Sequence, residues 1–382
     1  MEGQPKHSHL GASGAERWLN CPGSVNLIKG LTLPETTDEP DYQKEGTALH
    51  AATAALLENG GDAWEVAGTI VEGIEVSPEM AEAVQTCLDV CRPMTANPIA
   101  KPMIEHRISS PIHPAFFGTV DFAVLSCESL LQVVDFKFGK GVVVEVENNP
   151  QIMYYAYGIL QMFPQVRRVV LRIVQPRAFH PDGPVRRWET TADEIHMWVA
   201  ETLLPGMRRA ESDKTLDAGD WCRFCPAKLV CPMLTGFFET ACTYDPKRIV
   251  SHNAIALGQA YKASKAVRMY LKAIEDETLR RLTSGQDVPG TKLVYKRANR
   301  VWKDGADQVI KSKFGDDAMT PPCLKSPNEI EKISDAAKKV VTELAYTPES
   351  GLTVALDDDN RPAVKRQSAS EVFSVALKGA KA

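Results

Sequence analysis

Short runs of hydrophobic residues predict a group of neighbouring strands in the first half of the chain. Residues 117–124 and 130–138 are two apolar runs with the length and composition of strands, and a polar turn at residues 126–129 separates them. Residues 101–109 predict another strand ahead of this pair. Because the two central runs are adjacent and the turn is short, we expect them to form an antiparallel hairpin.

A helix and a further strand are predicted directly after the hairpin. Asn149 followed by Pro150 is typical of a helix start, because asparagine caps the first backbone N–H groups and proline fits the first helical position. The helix is predicted to continue to about residue 163, and residues 167–176 predict the next strand. This order of strand, strand, helix and strand indicates an α/β fold.

Three charged residues interrupt the two apolar runs. They are Asp121 in the first run and Asp135 and Lys137 in the second. Side chains alternate along a strand, so Asp135 and Lys137 point to the same face. If Leu125 lies opposite Leu131, then Asp121 lies opposite Asp135, with about 5 Å between their Cβ atoms. Two carboxylates at that separation repel each other unless a positive group lies between them, which favours a divalent cation.

The same charges have a simpler interpretation. On a half-exposed hairpin, Asp121 and Asp135 would be solvated side chains of the polar face, and a turn shorter by one residue would remove the register that brings them together. The helix that follows argues against this interpretation. Its Gln151 and Tyr155 lie one turn apart on one face, behind the hairpin, so polar groups from several elements are expected at one place.

Four short motifs resemble, in their order, those of the RecB-like branch of the PD-(D/E)XK nuclease superfamily. The branch has a histidine on an N-terminal helix, then G-x-x-D, D-x-K and Q-x-x-x-Y. In this sequence the four are His50 at the end of residues 45–50, Gly118 to Asp121, Asp135 to Lys137, and Gln151 to Tyr155. Each motif is weak alone, but four in this order on the expected elements are specific. The proline of the superfamily name is absent before Asp121, as is frequent in this branch.

The resemblance implies a restriction-endonuclease-like mixed sheet flanked by helices, and a divalent metal ion on it. It implies that Mg²⁺ or Mn²⁺ is bound by His50, Asp121 and Asp135. The main-chain carbonyl of Phe136 is a further ligand on this view. For His50 taken alone, an ordinary helix histidine is the commoner interpretation.

The resemblance also implies a reaction. Lys137 would orient or activate a water that attacks the phosphodiester bond, and Gln151 with Tyr155 would contact the DNA backbone near the site. The expected protein is a metal-dependent DNA exonuclease, with 5′-to-3′ polarity, that acts in phage recombination or DNA processing. DNA is then its partner, and a single-strand annealing or single-strand-binding phage protein is a second candidate partner.

The nine cysteines suggest a second site. An odd count and the lack of a secretory signal predict a reducing compartment, here the cytoplasm of a bacterial host cell, rather than a disulfide framework. Cys222, Cys225 and Cys231 form a compact C-x2-C-x5-C group, and Cys21 is the candidate for a fourth ligand. One cysteine before the core and three after it are also found in iron–sulfur RecB-like enzymes such as AddB and the CRISPR-associated nucleases. This resemblance implies a 4Fe-4S cluster, and zinc is the alternative.

Composition limits how the chain could bind DNA. The net charge of −5 is not that of a protein that coats DNA by bulk charge, so binding would rely on local basic patches. Arg297 and Arg300 beside Trp302 combine phosphate-binding cations with an aromatic ring that we expect to be exposed and suited to stacking on bases. The alternative is that these residues form an ordinary solvated face.

The length of 382 residues allows two or three domains, and no apolar run approaches a membrane span. We expect a helical N-terminal part (1–98), a nuclease core with the cysteine group (99–245), a long helical segment (246–290) and a small C-terminal appendage with a partly disordered tail (291–382). Two other functions remain open. One is a nuclease-fold protein that binds DNA with weak or no cleavage, and the other is a zinc or iron–sulfur regulatory protein.

Overall fold

The computed structural model describes residues 8–31, 41–96, 98–242, 254–296, 301–303, 305–320, 323–324, 326–331, 333–346, 352–356 and 363–364. The chain divides into two compact units, residues 1–270 and residues 271–382, and each has its own hydrophobic core. This division does not test the finer four-part division, which stays a prediction.

The first unit begins with helices, as predicted. Its elements before the main sheet are α1 (Ala15–Asn20), α2 (Gly23–Lys29), α3 (Asp41–Asn59), β1 (Ile70–Val71), β2 (Ile74–Glu75) and α4 (Pro78–Cys91). The start of α4 shows why the chain turns helical there. The Ser77 side chain accepts a hydrogen bond from the Met80 N–H (3.2 Å), and Pro78 occupies the first turn, where its missing N–H costs nothing.

A five-stranded mixed sheet forms the centre of the first unit. Its strands are β3 (Met103–Ser109), β4 (Phe117–Cys127), β5 (Leu130–Phe136), β6 (Arg168–Val174) and β7 (Val185–Thr191), and they lie in that order across the sheet. All neighbours are antiparallel except β5 and β6, which are joined by the crossover helix α5 (Pro150–Leu160). The predicted α/β class, a mixed sheet flanked by helices, is confirmed, and it is consistent with a restriction-endonuclease-like core.

The remaining helices of the first unit follow the sheet. They are α6 (Ala192–Trp198), continued by a π-helical turn (Val199–Leu203), then α7 (Leu204–Ser212) and α8 (Pro232–Cys242). The next helix, α9 (Ala254–Thr283), begins in the first unit and ends in the second. The Asn149 side chain accepts hydrogen bonds from the N–H groups of Gln151 and Ile152, so the helix start predicted from Asn149 and Pro150 is correct.

The sheet is buried on both faces, which fixes the side-chain directions of β5. Leu131 and Val133 pack in a cluster that includes α5, whereas Val134 and Phe136 pack in a second cluster that includes α3 and α4. Each fully buried side chain of this size stabilises the fold by roughly 1.5–3 kcal/mol. A one-residue slip would move every one of them to the wrong face, so the register is strongly determined.

The second unit is small and contains short strands and helices. Its elements are β8 (Thr291–Tyr295), β9 (Val301–Trp302), α10 (Ala306–Phe314), β10 (Met319–Thr320), β11 (Cys323–Leu324), α11 (Pro327–Ile330), α12 (Asp335–Leu344), β12 (Ala345–Tyr346) and β13 (Leu352–Leu356). The strand pairs are β8 with β13, β9 with β12, and β10 with β11. Within the appendage, whose tail is predicted to be partly disordered, β13 forms a five-residue ladder with β8.

Candidate active site

The register of the hairpin brings the two aspartates together as predicted. Leu125 pairs with Leu131, and the ladder between β4 and β5 continues to Phe122 and Val134. Beyond that pair, the Asp121 side chain makes the next hydrogen bond to β5. Its Oδ2 accepts a hydrogen bond from the Phe136 N–H at 2.7 Å. Asp121 (9 % exposed) and Asp135 (2 % exposed) are both buried, so the solvated polar face considered above is not what forms.

Lys137 and Gln151 hold the buried Asp135 from one side. The Lys137 Nζ lies 2.9 Å from Asp135 Oδ2 and donates to Gln151 Oε1 at 2.9 Å, while Gln151 Nε2 donates to Asp135 Oδ1 at 3.0 Å. Asp135 Oδ2 is therefore buried in an ion pair with the Lys137 ammonium group. Tyr155 is less tightly joined, because its hydroxyl lies 3.4 Å from Gln151 Nε2.

His50 approaches the aspartates from helix α3. Its Nδ1 lies 3.6 Å from Asp121 Oδ1 and 3.7 Å from Glu105 Oε1, and its ring packs edge-on against Phe138 with 5.2 Å between ring centroids. One donor atom from each of His50, Glu105 and Asp121 lies within 4.8 Å of the other two. Among the described residues this is the one group of three such side chains spaced for a metal ion.

Glu105 was missed by the sequence analysis. It lies on β3, between the pairs Ile104–Phe122 and His106–Val120, and is therefore level with Asp121 on the neighbouring strand. No motif spacing points to it. The one signal that could have found it is the pairing of β3 with β4, which depends on the connection between them and not on either strand alone.

Burial and mutual charge interactions shift the pKa values of these residues, which we call the carboxylate site (His50, Glu105, Asp121, Asp135 and Lys137). Burial raises the pKa of Asp121 well above its usual value, and Asp135 adds to the increase, while His50 and Lys137 oppose it. Burial alone would lower the pKa of His50, but the carboxylates of Asp121 and Glu105 outweigh burial and raise it. A buried carboxylate with a raised pKa beside other charged groups is typical of functional sites.

Arg177 connects the helix of His50 to the chain that follows Lys137. Its side chain is 6 % exposed, and its Nη1 lies 2.8 Å from Glu45 Oε2 on α3. Its Nε lies 3.3 Å from Glu79 Oε1 at the start of α4. Its Nη1 also donates to the Phe138 carbonyl at 3.4 Å. This buried guanidinium joins three distant segments close to the site, a contact that the sequence did not reveal.

The four predicted cluster cysteines line one small cavity, which we call the cysteine pocket (Cys21, Cys222, Cys225 and Cys231). All four are buried, at 4 %, 5 %, 8 % and 8 % exposure. Their sulfur atoms do not form a tight group, since no three of them lie within 4.8 Å of one another. Burial raises the pKa of Cys222 to about 11 and also raises that of Cys225. Thiolates here would therefore need a bound cation.

Close backbone packing holds Cys21 at this cavity. The Asp217 N–H donates to Cys21 Sγ at 3.3 Å, and the Gly23 N–H donates to the Thr215 carbonyl at 2.9 Å. A Cβ atom at position 23 would lie 2.4 Å from the Lys214 carbonyl oxygen, so only glycine fits there. The first helices are thus pressed against the segment that leads to the other three cysteines.

Comparison with known proteins shows one family. Residues 7–362 match the family described as "Protein of unknown function (DUF2800)", which is most of the chain. The chain belongs to this family. Since that description names no reaction, any functional conclusion depends on the geometry of the carboxylate site and the cysteine pocket.

The predicted DNA-binding residues are only partly covered. Arg297 and Arg300 lie outside the described residues. Trp302 is half-buried and packs against the core of the second unit, which includes Ile310 and Val341. The expectation that this ring is exposed is therefore wrong, and DNA contact by all three residues stays a prediction. Of the helices in the described part, none is both long and apolar enough to cross a bilayer.

Proposed function

We propose that this protein is a metal-dependent DNA exonuclease that hydrolyses phosphodiester bonds. One observation carries the proposal. Four predicted motifs, from α3, β4, β5 and α5, converge on two buried carboxylates that face each other, with Lys137 paired to one of them. A protein that only packs its core gains nothing from two buried carboxylates at this distance, because each is desolvated and each repels the other.

The donor set fits a divalent cation. Carboxylate oxygens with one imidazole suit Mg²⁺ or Mn²⁺, and one donor atom from each of His50, Glu105 and Asp121 lies within 4.8 Å of the other two. His50, Asp121 and Asp135 would hold the ion, with the Phe136 carbonyl as a further ligand. When bound, such an ion would supply Lewis-acid stabilisation of the charge that develops on the phosphate.

The side chains of this site have separate tasks in the proposed reaction. Lys137 reaches the outer side of Asp135, where its ammonium group can donate to an attacking water or to a phosphate oxygen. Gln151 bonds to both Lys137 and Asp135, so it keeps the ammonium group and the carboxylate at a fixed separation. Tyr155 lies behind Gln151. Its hydroxyl would therefore contact the DNA backbone only at a phosphate close to the site.

For the cysteine pocket we propose a 4Fe-4S cluster with a structural task. Four buried thiols form a suitable donor set. One cysteine before the sheet and three after it repeat the arrangement of the iron–sulfur RecB-like enzymes, so we prefer this cluster to zinc. The cluster would tie the first helices to the end of the first unit.

Polarity and biological setting are part of the same proposal. A 5′-to-3′ exonuclease leaves single strands with 3′ ends, which a single-strand annealing or single-strand-binding phage protein would take up in the cytoplasm of a bacterial host. The direct test is digestion of a linear duplex labelled at either the 5′ or the 3′ end, with Mg²⁺, with Mn²⁺ and with chelator. Immediate release of the 5′ label as short products, dependent on metal, is the expected result. Intact duplex under all conditions would contradict the proposal.

A further inference from the structure

Glu105 has a backbone conformation that a strand residue rarely adopts. Its φ is +44°, in the left-handed region that is unfavourable for a residue with a Cβ atom. The ladder between β3 and β4 nevertheless continues on both sides, through Ile104–Phe122 and His106–Val120. The unusual conformation is therefore confined to one residue, which is level with Asp121.

The conformation changes the direction of the Glu105 side chain. In a regular strand Glu105 would share a face with Met103, which packs in the cluster that includes α5. Instead its carboxylate reaches His50 on α3, a helix whose Leu49 and Leu56 belong to the cluster on the other face. A local unfavourable conformation thus turns a carboxylate toward two other donors.

The distances between these side chains are longer than hydrogen bonds. His50 Nδ1 lies 3.7 Å from Glu105 Oε1 and 3.6 Å from Asp121 Oδ1, and both separations are too long for a hydrogen bond. Three donors that surround a common point without bonding one another are arranged as ligands around an ion. A second observation points the same way. The buried carboxylate of Asp135 adjoins the same group and acts electrostatically on both His50 and Asp121.

We propose that Glu105 is a ligand of the divalent cation, on the solvent side of the site. The inference deepens the proposed function and rests on its metal centre. Glu105 is 41 % exposed, whereas Asp135 is 2 % exposed, so the two carboxylates lie at the outer and inner ends of the site. The cation then enters past Glu105, and its ligand set is His50, Glu105, Asp121 and Asp135.

The test measures Mn²⁺ binding to the full chain, without DNA, by calorimetry and by electron paramagnetic resonance of free Mn²⁺. Glu105→Gln keeps the size of the side chain and removes its charge. We expect Mn²⁺ affinity to fall at least tenfold, as it should for Asp121→Asn. Glu128→Gln is the matched control, because Glu128 is an exposed glutamate in the turn between β4 and β5. It should bind Mn²⁺ like the wild type.

A second variant separates ligation from a structural role. Glycine accepts the left-handed conformation at position 105, so Glu105→Gly should melt no lower than the wild type in metal-free buffer while losing Mn²⁺ affinity. A structural ion pair with His50 would instead make Glu105→Gly less stable and leave Mn²⁺ binding unchanged.

The possible failures are distinguishable. If Asp121→Asn loses Mn²⁺ and Glu105→Gln binds it like Glu128→Gln, the role of Glu105 is refuted and the proposed metal centre stands. If the wild type binds no Mn²⁺, or if Asp121→Asn binds it equally well, the metal centre and the role of Glu105 both fall.

Discussion

The carboxylate site and the cysteine pocket are built in opposite ways. The carboxylate site is polar and lies on a buried sheet, with most of its groups from the continuous segment between β4 and α5. The cysteine pocket has apolar walls that include Leu27 and Leu234, and it joins Cys21 to cysteines about 200 residues later. The carboxylate site holds charges that repel each other on a rigid sheet, and the cysteine pocket connects the two ends of a long loop. Loss of the carboxylate site should therefore reduce cleavage, and loss of the cysteine pocket should reduce the stability of the fold.

The largest expected effect is from Cys21→Ser. Metal ligation closes a loop of about 200 residues, which in the polymer model removes roughly 5 kcal/mol of unfolded-state entropy. The variant should lose most of its iron after anaerobic purification, and its Tm should fall by about 10 °C or more. Iron analysis and calorimetric melting measure both.

Cys127→Ser is the control for this variant, because Cys127 is exposed at the end of β4. It should keep the iron content and Tm of the wild type. Equal behaviour of the two serine variants would remove the proposed role of Cys21. Colourless wild-type protein with one zinc per chain would exclude the iron–sulfur cluster and leave the carboxylate site unaffected.

The second-largest effect is expected from a substitution in the carboxylate site, which should reduce cleavage without lowering the stability of the fold. Asp121→Asn keeps an oxygen that can accept from the Phe136 N–H but removes one of two buried carboxylates that repel each other. Cleavage should fall roughly 10²-fold or more, as when a group that stabilises transition-state charge is lost. In metal-free buffer the fold should be equally stable or more stable, by up to about 1 kcal/mol. Cleavage rates and urea unfolding of the same preparation would show both changes.

A large loss of stability in Asp121→Asn would contradict this contrast between the two regions. It would mean that the carboxylates support the fold, and that their burial has a structural reason. Wild-type cleavage in this variant would remove Asp121 from the proposed chemistry.

Arg177→Met should have an intermediate effect, since Arg177 positions His50 and is not itself a ligand. Without the guanidinium, the tie between Glu45 on α3 and the Phe138 carbonyl is lost. Loss of such supporting contacts typically weakens metal binding 10–100-fold, and we expect about tenfold weaker Mn²⁺ binding here. Lys140→Met is the control, because exposed Lys140 pairs with the same Glu79 but not with α3. Equal Mn²⁺ affinity of the two methionine variants would show that Arg177 does not position His50.

The smallest effect is expected from Tyr155→Phe. The Tyr155 hydroxyl is 3.4 Å from Gln151 Nε2, a long contact that contributes at most about 0.5–1.5 kcal/mol. Gln151 keeps its two stronger partners. Cleavage with saturating DNA should fall only about threefold, and Mn²⁺ affinity should not change. A hundredfold loss in a single-turnover assay would show that Tyr155 acts directly on the phosphate.

The sequence predicted those parts of the site that depend on local patterns. Alternation along β4 and β5 placed Asp121, Asp135 and Lys137. The expected Leu125–Leu131 pair also forms, although the strands continue to a Cys127–Leu130 pair through an irregularity that the sequence did not predict. The cap at Asn149 placed α5 with its glutamine and tyrosine. These features depend on neighbours in the chain, which is why the pattern of hydrophobic residues was sufficient.

The sequence could not predict contacts that depend on distant segments. Glu105 becomes visible only after β3 pairs with β4, and its left-handed backbone is contrary to the preference of a strand residue. Arg177 joins residues far apart along the chain. In the second unit, Ser326 and Pro327 have the pattern of a helix start, but Ser334 caps a second helix only eight residues later. Trp302 was expected on the surface, but its ring packs against the small core of the second unit.

The most direct test of the central claim compares two lysines of the same segment. Lys137 contacts buried Asp135, whereas Lys140, three residues later, pairs with exposed Glu79. Release of a 5′ label from a linear duplex should be measured with Mn²⁺ for the wild type, Lys137→Ala and Lys140→Ala. The account predicts a loss of at least roughly 10²-fold in Lys137→Ala and near wild-type cleavage in Lys140→Ala. Equal cleavage by Lys137→Ala and the wild type would contradict it.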